Sequence, residues 1–306
     1  MTATTDPRAK GLVDKSKVEK NLSSRDKKNS LNKWLFFACI VFALIVLAAL
    51  LIQTLVKGVG HLTPEFFTSF SSSTPSQAGI KGALAGTLWL MITIIPISII
   101  LGVGTAIYLE EYARDNMFTS FVKICISNLA GVPSIVFGLL GLTLFVRGAG
   151  IESLSLGNTV IAAALTMSLL ILPIIIVSSQ EAIRAVPNSV RKASYGLGGN
   201  KWQTIRKVVL PAALPGILTG FILSLSRALG ETAPLILIGI PTIFLAVPSG
   251  LFSMFTALPT QIYTWAKMPQ AEFQNVASAG IIVLLVILLL MNGLAIFLRN
   301  KFSRKY

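Results

Sequence analysis

Two residues in the run LSLSRALGETAPL carry the most chemical potential in the chain: Arg227 and Glu231, four positions apart among apolar neighbours. On a helix, that spacing puts both side chains on one face. Counted from Pro211 at 1.5 Å per residue, Arg227 lies roughly 24 Å along its segment, deep in what would be hydrocarbon. A lone charge there costs about 3 kcal/mol by insertion scales, so the pair must satisfy itself, face water, or face a translocated ion. An ion pair that only fixes helix packing is one solution. The other follows from donor geometry: a planar guanidinium fork with permanent charge matches a tetrahedral oxyanion, which could replace Glu231 as the arginine's partner. A carboxylate accepts a hydrogen bond only from an oxyanion that still carries a proton, as phosphate does at neutral pH and sulfate does not. Arg227 and Glu231 are therefore read as lining an anion path, with phosphate favoured.

Other reactive groups are scarce. His61 is the only histidine, and Cys39 and Cys125 stand alone in apolar runs, read as small core residues and neither disulfide partners nor metal ligands. No GxxxxGK[ST] phosphate loop is present, and the glycines at 102 and 104 lie inside an apolar segment. No set of nucleophile, base and orienting group is readable, so the chain is not expected to be an enzyme or to bind a metal or cofactor.

The elements that would hold the charged pair follow from composition. Apolar residues make up 54% of 306 positions and charged residues 12%, too little polar surface for a water-soluble globule. A helix needs about 20 apolar residues to cross a bilayer. The sequence offers Trp34–Val56, Ala83–Leu109, Ile124–Val146, Asn158–Ser179, Ala212 to about Ile238, and Val276–Leu298. The expected fold class is an all-α membrane protein of about six spans. Residues 234–259 are apolar but broken by Gly239, Pro241, Pro248 and Gly250, and are expected to form an irregular or re-entrant segment. The first 33 residues, with nine bases against four acids, are expected to be a flexible tail. The apolar run after it is too long for a signal-peptide core and is expected to be a retained anchor.

The formal charge of +14 is explained by where the bases fall. The N-terminal tail, Arg114, Lys123, the stretch from Arg184 to Lys207 and the stretch from Arg299 to Lys305 hold most of them; only Lys57, Lys81, Arg147 and Lys267 fall on the opposite side. This asymmetry predicts that both termini are cytoplasmic and leaves no support for nucleic-acid binding. Trp34, Trp89 and Trp265 are expected as interfacial anchors, and the spacings Gly82/Gly86 and Gly216/Gly220 as places of close helix approach. Pro96 and Pro173 are expected to kink their spans.

The long inner loop, residues 181–211, reads EAIRAVPNSVRKASYGLGGNKWQTIRKVVLP. Val190, Ala193 and Leu197 recur at helical spacing while Arg191 and Lys192 point elsewhere, Pro187 suits a helix start, and Gly198 and Gly199 suit its stop. A second short helix is expected from Asn200 to Leu210, with Pro211 opening the next span. Type I ABC importer permeases carry here the pattern E-A-A, three residues, Gly, nine residues, Ile-x-Leu-Pro. The loop resembles it at every fixed spacing through Lys192, Ala193, Ser194, Gly198, Val208, Leu210 and Pro211, with Lys for the acid, Ser for the second Ala and Val for the Ile. Beyond the loop, GLGGNKWQTIRKVVLPAALPGILTG followed by RALGETAP is similar to the phosphate-import permeases, of the PstA type. The resemblance covers roughly residues 79–297, leaving out the N-terminal tail.

This resemblance implies a type I ABC importer transmembrane domain whose loop docks on a cytoplasmic ATPase. It also implies a homologous second permease subunit, two ATPase copies that bind ATP and Mg, and an extracytoplasmic phosphate-binding protein. Arg227 and Glu231 match the family's Arg and Glu implicated in phosphate passage. Import of another oxyanion such as sulfate or molybdate keeps the same fold, whereas a stand-alone channel or secondary transporter would not require the coupling loop.

Overall fold

The computed structural model describes residues 15–241 and 245–302, with side chains from Lys28 onward except those of Leu298 and Phe302. Among the described residues the architecture rests on α1 (Lys15–Gly58), α2 (Lys81–Tyr112), α3 (Met117–Leu129), α4 (Ser134–Val146), α5 (Val160–Arg184), α6 (Asn188–Gly196), α7 (Lys201–Gly230), α8 (Ala233–Leu237), α9 (Leu258–Lys267) and α10 (Glu272–Phe302), with a short helix at Pro64–Thr68 between the first two. Five of them, α1, α2, α5, α7 and α10, are long and apolar enough to cross a membrane, and the bent pair α3 and α4 makes up to six spans. Among the described residues there is no strand beyond an isolated bridge between Thr159 and Met254.

The chain divides into two units, residues 1–54 and 55–306. In the first, the helix is already formed at Lys15, so the expected flexible tail is helical from there; residues 1–14 lie outside the described residues, as do 303–306 of the basic C-terminal tail. Leu35, Phe42 and Leu51 are exposed around this helix, which suits a lipid-facing surface, and Cys39 is exposed there too, not buried in a core.

In the second unit α5 is the centre, packed by α2, α3, α4 and α7. Ile94 of α2, Met167 and Ile171 of α5, and Phe221 and Leu225 of α7 form one cluster. Ala106, Ile176, Ile183, Val209 and Ala213 form another beside the loop 181–211. The Gly216/Gly220 pair brings α7 against Ala182 and Ser178 of α5, where a Cβ on Gly220 would collide with the serine hydroxyl. Gly86, by contrast, lies against Phe255 and Thr256, a loop and not a helix. Trp265 is fully buried with Phe66 and Phe273, and so is a core residue where an interfacial anchor was expected.

Three expected boundaries change, each at a proline. The span Ile124–Val146 is not one helix: α3 stops at Leu129 and α4 starts at Ser134, bent by 105°. Gly131 weakens the helix and Pro133 pushes Val132 out of the α region, which together end it. The next boundary moves the other way. No new helix opens at Pro211; α7 runs unbroken from Lys201, because a π turn over Ile205–Val209 shifts the Leu210 N–H to the Ile205 carbonyl, and the missing proline donor is absorbed. Finally, the span expected to reach Ile238 ends at Gly230. Pro234 has no N–H to offer the Gly230 carbonyl, Glu231 is extended at φ −79° and ψ 118°, and the short α8 restarts the chain beside α4. Pro173 does not break α5, which is one helix of 25 residues. Residues 239–257 have no helix among those described, in keeping with the expected irregular segment; residues 242–244 of it lie outside the description.

Candidate functional site

Arg227 occupies the last turn of α7, and Glu231 is the residue just beyond its end. The two are not on one continuous helix, as the spacing had suggested, yet they meet: Arg227 Nε donates to Glu231 Oε1 at 3.3 Å. The helix end supplies the reason. Glu231 leaves the helical path at Gly230 and turns back under the arginine, while the positive charge sits where the helix dipole is negative. The arginine side chain is 43% exposed and the glutamate 22%, and the Nη atoms have no other ion pair among the described residues. A fork with one tooth engaged and the rest open suits exchange of partner better than a locked ion pair does.

Along α7 from Arg227, Leu223 is exposed and Ser226 and Thr219 are half-buried. Helix α10 crosses α7 with polar side chains at matching heptad spacing. Ser226 Oγ donates to Asn292 Oδ1 at 2.7 Å, and Arg299 Nη1 donates to Thr219 Oγ1 at 3.3 Å.

The loop 181–211 is a structured projection. α6 carries Lys192, Ala193 and Ser194; it ends at Leu197, and Gly198 takes φ +81°, the left-handed turn that glycine adopts without strain. Gly198 and Gly199 donate to the Tyr195 and Ser194 carbonyls. Asn200 and Gln203 then form a reciprocal capping box that starts α7. Val190, Ala193 and Leu197 are exposed and line a surface groove with Gln203, Lys207 and Val208, while Arg191 turns inward. Leu197 is 90% exposed, and Tyr195 and Trp202 are exposed nearby. Leu210 and Pro211 are half-buried in α7, Leu210 against the cluster around Ile183 and Val209.

The sequence reading missed the acids that receive Arg191. Glu110 and Glu111 end α2; Glu111 pairs with Arg191 at 2.9 Å, and Glu110 pairs with Arg184 at 2.8 Å and Lys123 at 3.4 Å. Their only signal was two consecutive acids at the inner end of an apolar run, which reads equally well as a solvated helix terminus.

Apolar helices packed about a central one, with an amphipathic helix held out on a polar loop, define a multi-span helical membrane protein. Residues 95–305 match the family described as binding-protein-dependent transport system inner membrane component, and the chain belongs to that family. It is 35% identical to the phosphate transport system permease protein PstA of Yersinia pestis, over 90% of this chain and 92% of the relative. It is 37% identical to PstA 1 of Mycobacterium tuberculosis strain H37Rv, over 85% and 84%, and 32% identical to the probable ABC transporter permease protein YqgI of Bacillus subtilis, over 89% and 95%. Among solved structures, a bacterial ABC transporter that imports alginate shares the fold, with a TM-score of 0.60 over 92% of this chain and 100% of that one at 14% identity. The methionine transporter MetNI does so with a TM-score of 0.54 at 18% identity, over 74% and 96%. The chain is thus a multi-pass subunit of the cytoplasmic membrane with a type I importer permease fold.

Proposed function

We propose that this chain is one permease subunit of an ATP-driven importer of inorganic phosphate. The observation that carries the reading is identity of 31–37% with PstA permeases over four fifths or more of the chain. In this reading the chain pairs with a homologous second permease, receives phosphate from an extracytoplasmic binding protein, and is driven by two copies of an ATPase subunit that bind ATP and Mg. Both termini and the loop 181–211 face the cytoplasm, in line with the distribution of the bases.

The division of labour follows from side-chain chemistry. Arg227 offers charge and open donors to a desolvating oxyanion. Glu231 holds the guanidinium when no anion is present and accepts the proton of HPO4 when one is. The exposed row Val190, Ala193 and Leu197 seats in the ATPase, with Lys192 and Ser194 on the same helix, Gly198 setting its exit angle, and Val208, Leu210 and Pro211 joining it to α7. The test is complementation: a bacterium lacking its own phosphate-import permease should regain high-affinity uptake of radiolabelled phosphate, but not of sulfate or molybdate, when this chain and its partner subunits are supplied. Uptake of sulfate with none of phosphate would overturn the cargo and keep the fold.

A further inference from the structure

The docking helix α6 has no buried residue. Hydrophobic packing therefore does not fix it to the membrane helices, and any force delivered to it must pass through polar contacts or the chain itself. One of those contacts reaches Glu111, the middle of three consecutive residues at the end of α2; its neighbours Glu110 and Tyr112 hold α5 and α7. A π turn over Tyr108–Tyr112, in which the Ala113 N–H reaches back five residues to the Tyr108 carbonyl, fans the side chains of Glu110, Glu111 and Tyr112 toward different elements.

Glu110 takes the end of α5. Arg184 donates through Nη2 to Oε1 at 2.8 Å and through Nε to Oε2 at 3.3 Å, a bidentate pair, and Gln180 Nε2 donates to Oε1 at 3.0 Å. Lys123 of α3 joins the same carboxylate at 3.4 Å. Glu111 takes the docking helix: Arg191 Nε and Nη2 donate to its Oε1 at 3.1 and 2.9 Å. Arg191 also donates to the Ile183 carbonyl at 2.9 Å, to the Val186 carbonyl and to Asn188 Oδ1, closing the open end of α5 onto α6. The ring of Tyr112 takes the start of α7, with the Lys201 ammonium 4.9 Å from its centroid. Ser194 and Thr204, hydroxyl to hydroxyl at 2.8 Å, bind α6 to the same part of α7.

The two glutamates are well buried, their side chains 11% and 8% exposed, and Arg191 is 14% exposed. Charge-assisted contacts in that setting are stiff, since each alternative leaves a buried charge unpaired. Resting on the reading of loop 181–211 as the ATPase contact, we propose that Glu110, Glu111 and Tyr112 are positioning residues. They form the hub through which displacement of the docking helix is passed to α2, α5 and α7. A tilt of α6 pulls Arg191, Arg191 pulls Glu111, and the same half-turn of α2 carries Glu110 with α5 and Tyr112 with α7. The membrane helices then move together instead of letting the loop flex.

The test uses the assembled complex in proteoliposomes, with phosphate uptake, ATP hydrolysis and docking read in parallel. Docking is read by cross-linking Leu197→Cys, at the exposed tip, to the ATPase subunit. Glu111→Gln keeps shape and one acceptor but loses the charge. It should preserve the cross-link and ATP hydrolysis while phosphate moved per ATP falls about tenfold, the worth of a hydrogen bond to a charged group. Arg191→Lys keeps the charge without the fork and should retain an intermediate ratio. Lys201→Gln, at an exposed site that cannot threaten folding, should lower the ratio by a smaller factor. A wild-type ratio in Glu111→Gln with the cross-link intact overturns the hub. Loss of the cross-link in Glu111→Gln also overturns it, by reducing these contacts to a scaffold for the loop. Absence of the cross-link in the complex carrying Leu197→Cys and no other change instead fails the docking reading itself, and the hub with it.

Discussion

Replacing Arg227 separates a structural pair from a path. The contact that Arg227 makes with Glu231 is single, 3.3 Å long, and joins side chains 43% and 22% exposed. Pairs of that kind contribute about 0.2–1 kcal/mol, so their loss should change folded abundance by no more than about fivefold. The loss to a passing anion is larger. A permanent charge with open donors is worth about 1.5–3 kcal/mol to an oxyanion it hydrogen-bonds, which makes Arg227→Gln about 10- to 150-fold slower in uptake. Arg227→Lys should fall between, because it keeps the charge and loses the fork. The double variant Arg227→Gln with Glu231→Gln leaves neither partner as an unpaired charge, so assembly should be normal while uptake stays low. The assay is initial uptake of radiolabelled phosphate, divided by membrane abundance measured in the same cells by immunoblot. A double variant that transports at the wild-type rate per molecule refutes the path and leaves the pair as packing.

Three further outcomes follow from the geometry. Gly198→Val forces a β-branched residue into φ +81°, a cost of about 1–3 kcal/mol in open space, so it should insert normally and lose ATPase-coupled uptake by misdirecting the loop. Unchanged coupling in membranes containing the variant would reject a role for that turn. Gly220→Leu drives a side chain into Ser178 and should lower the thermal stability of the detergent-solubilised protein by an amount equivalent to about 1–3 kcal/mol, whereas Gly104→Ala, with open space around it, should leave stability unchanged or slightly raised; equal melting curves for the two would refute the close α5 to α7 contact. Leu197→Ser should leave folding within about 0.5 kcal/mol and weaken pull-down of the ATPase subunit, and undiminished pull-down would exclude the exposed row as the seat.

What the sequence made legible and what it hid divide along a physical line. Long apolar runs are dictated by the solvent, so α1, α2, α5, α7 and α10 follow from composition and length with small changes at their ends. The local structure of the loop 181–211 was legible because backbone chemistry marks it: Gly198 needs its positive φ, and Asn200 and Gln203 cap the helix that follows. Proline was read less well, because its effect depends on what the preceding turn can absorb. Pro133 and Pro234 end helices at weak points beside Gly131 and Gly230, while Pro211 sits inside α7 after a π turn.

The charged residues were hardest, since sequence gives the cost of a charge in an apolar setting but not the partner that offsets it. Arg227 and Glu231 were visible because they are near neighbours in the chain. Glu111 and Arg191 are 80 positions apart, and Glu110 and Arg184 are 74 apart, so each looked like an ordinary solvated terminus. The hidden acids are the more buried ones, Glu110 and Glu111 at 11% and 8% exposed against 22% for Glu231, although Arg184 itself is 63% exposed. That ordering fits their proposed duties: an anion path needs a contact loose enough to open at each passage, whereas a mechanical link must hold while the helices around it move. Glu111→Gln and Arg227→Gln should consequently fail in opposite ways, the first hydrolysing ATP with little phosphate moved and its docking intact, the second presenting an uncharged path to an otherwise coupled machine. Raising external phosphate should partly restore uptake in the second and not in the first, because a weakened binding step saturates at higher concentration and a broken mechanical link does not.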